Sequence, residues 1–372
     1  MEPNNEIKKG LAGVIVDETS ISKVMPESNS LTYRGYPVQD LCEHCSFEEV
    51  AYLLVNGELP NETELRTFSS IEKSKRGLSE ELLKMISLLP RGAHPMDTLR
   101  TAVSFAGCEE KRIWDSSPET NMDKFIELLA KIPTMIAASY RHESGQSFIA
   151  PDTNLTMSEN FFHMCFGKVP EAPVVKAFDA SLILYAEHSF NASTFTSRVI
   201  ASTTSDLYSA VVGGIGALKG PLHGGANEQV MHMLKEVGAA SKAEAWMLDA
   251  LKNKRKIMGF GHRVYRSGDS RVPTMKKYCR SVAEFTGGQK WVEISDVLEE
   301  TMIREKGIYP NLDFPAGPAY YMMGFEIEMF TPIFVMSRIT GWSAHVMEQD
   351  ASNKLIRPLS AYSGVSERKV KS

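Results

Sequence analysis

Helical apolar spacing follows helical apolar spacing along almost the whole chain, and nowhere do strand and helix alternate as a βαβ fold would need. From Ser46 the pattern is clear: Val50, Ala51, Leu53 and Leu54 share one face, and Gly57 ends it ahead of Pro60. Ser46 with Glu49 has the form of a capping box. Further helices are expected over 80–89, from His94-Pro95 onward, over 122–141, 160–166 and 173–187, within 192–212, from Ala226, and over 239–255, 271–286, 291–306 and 331–348. Only 11–24 and 31–37 read as extended. Pro315, Gly317 and Pro318 should break the chain before a restart at Ala319, and Gly341 should interrupt the last helix. No internal period of roughly 20–50 residues is present, which excludes a solenoid. The expected fold is all-α, and 372 residues leave room for a large and a smaller domain.

The formal net charge of -5 argues against general nucleic-acid binding. No run approaches the ~18 apolar residues of a membrane span. Residues 1–6 carry acids and no apolar core, unlike a secretory signal or a mitochondrial presequence. Five cysteines are an odd number for a disulfide framework, so reduced thiols and a cytoplasmic location are expected. The lone spacing Cys42-Glu43-His44-Cys45 lies directly before the Ser46 capping box, which favours a structural role over zinc or redox chemistry.

Chemistry gathers at three turns. The charge-free stretch 207–218 runs into Lys219-Gly220-Pro221-Leu222-His223-Gly224-Gly225, where a histidine stands at the mouth of the next helix. The positive end of a helix disfavours imidazolium, so His223 should be neutral and donate a hydrogen bond. Met258-Gly259-Phe260-Gly261-His262 repeats the arrangement, and Pro310-Asn311-Leu312-Asp313 places an aspartate after a proline turn. Arg271, Arg338 and Arg357 fall in apolar or loop settings; Arg338, inside an apolar helix, must meet a carboxylate of the protein or of a ligand. Several such arginines converging with two histidines suit a di- or tricarboxylate. No HxxxH or HxH spacing exists, so no metal site is expected. Gly214-x-Gly216 misses the dinucleotide spacing. The run Lys252, Lys254, Arg255 and Lys256 is either a solvated helix end or a place for a phosphate-bearing ligand.

Taken together, His223-Gly224-Gly225-Ala226-Asn227-Glu228, Gly259-Phe260-Gly261-His262-Arg263-Val264-Tyr265 with Asp269 and Arg271, and Pro310-Asn311-Leu312-Asp313 resemble the citrate synthase family. The resemblance runs from Gly10 to Pro358. It implies a large helical domain, 1–223 and 325–372, and a small one, 224–324, that carries the coenzyme A site and closes over the large one about hinges near Gly220 and Pro315–Pro318. It further implies that Asp313 removes the α-proton of an acyl-CoA, that neutral His223 steadies the enol, and that His262 polarises the ketone of oxaloacetate. His188, Arg271, Arg338 and Arg357 would hold oxaloacetate, with Arg357 reaching in from the second subunit of a homodimer. Lys256, Ile257, Met258, Gly259, Phe260, Gly261 and Asn311 would contact coenzyme A, a co-substrate rather than a permanent cofactor.

The run 185–198, Phe330-Thr331-Pro332 and Gly341-Trp342-Ser343-Ala344-His345 are more similar to 2-methylcitrate synthases, which favours propionyl-CoA with acetyl-CoA also accepted. One methylene gives only ~1–3 kcal/mol of discrimination. The alternatives are a dedicated citrate synthase of the tricarboxylic acid cycle and a catalytically silent relative that binds coenzyme A or a dicarboxylate. The intact set His223, His262 and Asp313 speaks against the silent relative.

Overall fold

A computed structural model describes residues 7–262, 264–265 and 268–370. Arg263, part of the second motif, and the amino-terminal residues 1–6 lie outside the described residues. An antiparallel hairpin and a short third strand open the chain: β1 (Ser22–Met25), β2 (Ser30–Tyr33) and β3 (Tyr36–Pro37), in that order across the sheet, with Ser22 opposite Tyr33. The elements that follow among the described residues are helices: α1 (Val38–His44), α2 (Phe47–Asn56), α3 (Glu62–Ser74), α4 (Glu80–Leu88), α5 (Pro95–Glu109), α6 (Pro118–Glu143), α7 (Met157–Phe166) and α8 (Ala172–Tyr185). There follow α9 (Ala192–Ala201), α10 (Leu207–Leu218), α11 (Ala226–Val237), α12 (Ala240–Lys252), α13 (Val272–Thr286), α14 (Gln289–Lys306), α15 (Asp313–Met322) and α16 (Phe330–Ala351). No helix among the described residues is long and apolar enough to cross a membrane.

The capping box at Ser46 and Glu49 closes in both directions, and Gly57 ends α2 at φ 94°. Cys42 is buried behind it, its thiol against the Ala180 carbonyl, in keeping with the structural reading. α16 is the axis of the molecule: from Phe330 to Val346 its side chains are buried, and it packs on α6, α8, α9 and α10. Small residues let these helices approach. A Cβ on Gly214 would stand 2.7 Å from Ser197 Oγ and 3.0 Å from the Trp342 ring.

Two expected interruptions do not occur. α15 runs straight through Pro315, Gly317 and Pro318. Pro315 falls in the first turn, where its missing N–H has no partner within the helix, so only Pro318 removes a bond. The hinge expected at these prolines therefore lies inside a continuous helix. α16 likewise continues through Gly341, whose absent side chain serves packing: a Cβ there would lie 2.6 Å from the Ala186 carbonyl oxygen and overlap the Glu187 carboxylate. The short α1 and the polar α3 are additional to the sequence reading.

Candidate active site

Asp313 and His262 are brought together by backbone pairing. Gly261 donates to the Tyr309 carbonyl (2.8 Å), Asn311 donates to the Gly259 carbonyl (2.9 Å), and Phe260 bridges Pro310. The side chain of Asn311 binds the Gly261 carbonyl at 2.9 Å and accepts the Asp313 N–H at 3.1 Å. Gly259 and Gly261 hold φ of 84° and 79°, and a Cβ on Gly259 would press on Val230 and Phe314, so both turns need glycine. Asp313 is the first residue of α15 and half-buried; Tyr185, the last of α8, donates its hydroxyl to Oδ1 at 2.7 Å. Burial pushes the Asp313 carboxyl up to about 6, against the pull of the Tyr185 hydroxyl and Arg271.

Both catalytic-candidate histidines are neutral, each as a defined tautomer. His262 Nδ1 accepts the N–H groups of Val264 (3.0 Å) and Tyr265 (3.3 Å), which leaves the proton on Nε2. Burial, with Arg271 beside it, lowers its pKa to about 4. His223 Nε2 accepts the Ser193 N–H at 3.2 Å and lies 2.8 Å from Ser193 Oγ, so its proton sits on Nδ1. Its pKa falls to about 3, from burial first and Arg338 second. The neutrality expected of His223 holds, but its main cause is desolvation rather than the helix terminus.

Around them stands a wall of cations and rings. The His188 ring is 5.0 Å from that of His262, and burial drives its pKa well below the ordinary value. Arg271 forks onto Asp269 (2.7 and 3.0 Å) and reaches the Leu184 carbonyl; Asp269 in turn accepts the Leu312 N–H beside Asp313. Arg338 is buried, its Nε donating to the Tyr185 carbonyl at 2.7 Å, its guanidinium 4.7 Å above the Phe334 ring. Phe334 also meets the rings of Tyr185 (4.2 Å) and His223 (6.2 Å), so it joins Arg338, Tyr185 and His223 along one wall. Arg338 Nη1 and His188 Nε2 are buried without a hydrogen-bond partner among the described residues. Such buried polar atoms cost free energy unless a partner arrives, and Arg338 Nη1 can only donate.

The remaining candidates divide. Lys256 is exposed and Ile257 and Met258 are half-buried on the segment leading from α12 to Gly259, Phe260 and Gly261; the Phe260 ring lies 4.5 Å from that of Phe314. Arg357 is not brought to this group: it is exposed beyond α16, with no side-chain partner among the described residues. Tyr185, Asp269, Phe334 and Ser193 belong to the site without having been singled out for these contacts. Asp269 stood in the motif with Arg271, and Phe334 is one helical turn from Arg338, which is the only signal either gave.

A carboxylate of raised pKa, two uncharged donors and an arginine wall suit an enzyme that forms a carbon–carbon bond through a stabilised enol. The family profile described as citrate synthase, C-terminal domain, matches residues 10–359. A 2-methylcitrate synthase of Mycobacterium tuberculosis is 57% identical over 363 residues, covering 98% of this chain and 92% of that protein. A citrate synthase of Mycolicibacterium smegmatis is 56% identical, covering 97% and 96%. Citrate synthase of the archaeon Thermoplasma acidophilum, in a ternary complex with carboxymethyl coenzyme A and oxaloacetate, superposes with a TM-score of 0.94 at 32% identity, covering 99% of this chain and 98% of that one. The chain belongs to the citrate synthase family.

Proposed function

We propose that the protein condenses oxaloacetate with a short acyl-CoA, propionyl-CoA by preference and acetyl-CoA as well, and hydrolyses the product to 2-methylcitrate or citrate and free coenzyme A. The observation that carries this reading is the pairing of Asp313, its carboxyl near pH 6, with two neutral imidazoles whose free N–H groups are fixed by their neighbours. Asp313 takes the α-proton; His223 Nδ1–H donates to the thioester oxygen as the enol forms; His262 Nε2–H donates to the ketone oxygen that the enol carbon attacks. Neutral donors stabilise the developing oxyanion without a permanent cation that would bind the ground state equally well. Water then cleaves the thioester. The unpartnered Arg338 Nη1 and His188 Nε2, with Arg271, receive the oxaloacetate carboxylates. Coenzyme A lies along Lys256–Gly261 and Asn311, with 224–324 as the smaller, closing lobe.

The working form is a homodimer that supplies Arg357 across the interface. What supports this is the exposed apolar side chains Ile15, Leu355, Leu359 and Tyr362 on the extended termini, and an open groove of about 390 Å³ between α5 and α10 lined by Phe105, Cys108 and Val212 together with Arg100, Thr101 and Ser104. The relatives bear both names, and the run from Tyr185 favours the longer acyl chain. The deciding experiment is thiol release from acetyl-, propionyl- and butyryl-CoA, each with and without oxaloacetate. Oxaloacetate-dependent release fastest with propionyl-CoA is expected. Release independent of oxaloacetate would overturn the reaction, and a preference for acetyl-CoA would overturn the acyl assignment.

A further inference from the structure

Arg338 needs an answer to a simple question: what balances a buried guanidinium before substrate arrives? It forms no hydrogen-bonded ion pair among the described residues; its fixed bond is to the Tyr185 carbonyl. The negative charge that acts on it most strongly is Glu187, fully buried on the loop between α8 and α9 and next in sequence to His188. One oxygen of Glu187 is fully engaged: Oε1 accepts from Ser22 Oγ (2.9 Å) and from His345 Nε2 (2.9 Å). Oε2 has no hydrogen-bond partner among the described residues, and it and Arg338 Cδ flank the same spot beside Gly341: a Cβ there would touch that oxygen and lie 3.4 Å from Cδ.

The surroundings are built to keep this carboxylate still. His345 Nδ1 is 3.0 Å from Arg198 Nη1, which can only donate, so the imidazole proton is on Nε2 and faces Glu187. Arg198 is itself held by Glu348 (2.8 Å) and Asp17 (3.3 Å) and lies over the Phe190 ring. The Glu187 backbone is gripped at both ends by the Tyr33 hydroxyl, and Ser22 Oγ also accepts the Ser189 N–H. Ser189 sits at φ 53°, a left-handed conformation that serine adopts only when its surroundings impose it. Burial alone would raise the Glu187 carboxyl, but the hydrogen bonds that Ser22 and His345 aim at Oε1 and the Arg338 charge oppose it and favour the carboxylate.

We propose that Glu187 is a positioning residue for the anion-binding end of the site: its carboxylate is the standing counter-charge of Arg338, and the substrate dicarboxylate shares that arginine with it. This rests on reading Arg338 as an oxaloacetate ligand. The consequence is that Glu187 opposes anion binding while stabilising the empty enzyme. Glu187→Gln keeps acceptors for Ser22 and His345 but removes the charge.

The test compares wild type, Glu187→Gln and Ser22→Ala by thermal melting with and without oxaloacetate, by calorimetric oxaloacetate titration, and by KM for propionyl-CoA. Glu187→Gln is expected to melt lower when empty and to regain most of that loss at saturating oxaloacetate. Removing a like charge from beside the shared arginine should tighten oxaloacetate by about tenfold, with KM for propionyl-CoA changed by less than about twofold, because the thioester end is untouched. Ser22→Ala retains the charge and is expected not to tighten oxaloacetate. An equal melting deficit in empty and saturated Glu187→Gln would mean a merely structural role and overturn the proposal, as would unchanged or weaker oxaloacetate binding, or equal tightening by Ser22→Ala. If wild type itself neither binds oxaloacetate nor gains stability from it, the substrate assignment of Arg338 fails instead.

Discussion

At the scale of single residues, Asp313 shows how the fold sets its chemistry. A carboxyl held near 6 is a stronger base than an ordinary aspartate yet still largely ionised at neutral pH. The Tyr185 hydroxyl, at 2.7 Å, keeps it from rising further. A hydrogen bond to a charged group is worth ~1.5–3 kcal/mol, so Tyr185→Phe should move the acid limb of the pH–rate profile upward by roughly one unit. An unmoved limb would remove Tyr185 from the tuning of the base. The same raised pKa means the folded state binds a proton more tightly than the unfolded chain, so Asp313 costs stability progressively as pH rises from about 4 through about 6. Asp313→Asn should therefore abolish turnover and raise stability at pH 7, by roughly 1–2 kcal/mol after allowing for partial exposure; a urea midpoint at or below wild type would contradict this. Asp313 and His223 stood out in the sequence because proline and glycine turns announce them. Tyr185 did not, because its partner is 128 residues away and only the packing of α8 against α13 and α16 brings the two together.

At the scale of elements, local capping signals were legible and packing constraints were not. Ser46 and Glu49 are neighbours whose geometry is decided within one turn, so their box could be read directly. Ser46→Ala should cost about 1 kcal/mol, measured by urea unfolding, with catalysis unchanged. Gly341 and Pro315 misled for one reason: each was read for what it does to an isolated helix. Pro315 occupies a first-turn position where proline loses nothing, and Gly341 makes room for a neighbouring loop. Propensity alone says Gly341→Ala should stabilise α16 by about 1 kcal/mol. The added methyl would instead meet the Ala186 carbonyl and the Glu187 carboxylate, beside the loop that carries His188. A net loss of roughly 1–3 kcal/mol is expected, together with weaker oxaloacetate binding and an unchanged KM for acyl-CoA. A more stable variant would show that the loop yields to the methyl.

At the scale of the whole molecule, the buried histidines tie catalysis to acid stability. His223 and His262 have folded pKa values of about 3 and about 4, and His188 is lowered further than an ordinary histidine by burial. In the unfolded chain each titrates near ~6.5. Between those limits the unfolded state binds more protons, so each histidine leaves stability intact above about 6.5 and erodes it as pH falls. Asp313 and Asp179, both raised by burial, to about 6 and about 7, act in the opposite direction over part of that window. The net slope is thus a difference of several protons, and no single wild-type curve can assign it. Removing one histidine can. His223→Gln deletes one proton from the balance, worth ~1.4 kcal/mol per pH unit. Between pH 6 and 4.5 the variant should lose roughly 2 kcal/mol less stability than wild type, read from urea unfolding at each pH. Parallel curves would mean that folded His223 takes up its proton as readily as the unfolded chain does. It would then be substantially protonated by about pH 6.5, and the desolvation that keeps it an uncharged donor to the enol would be absent.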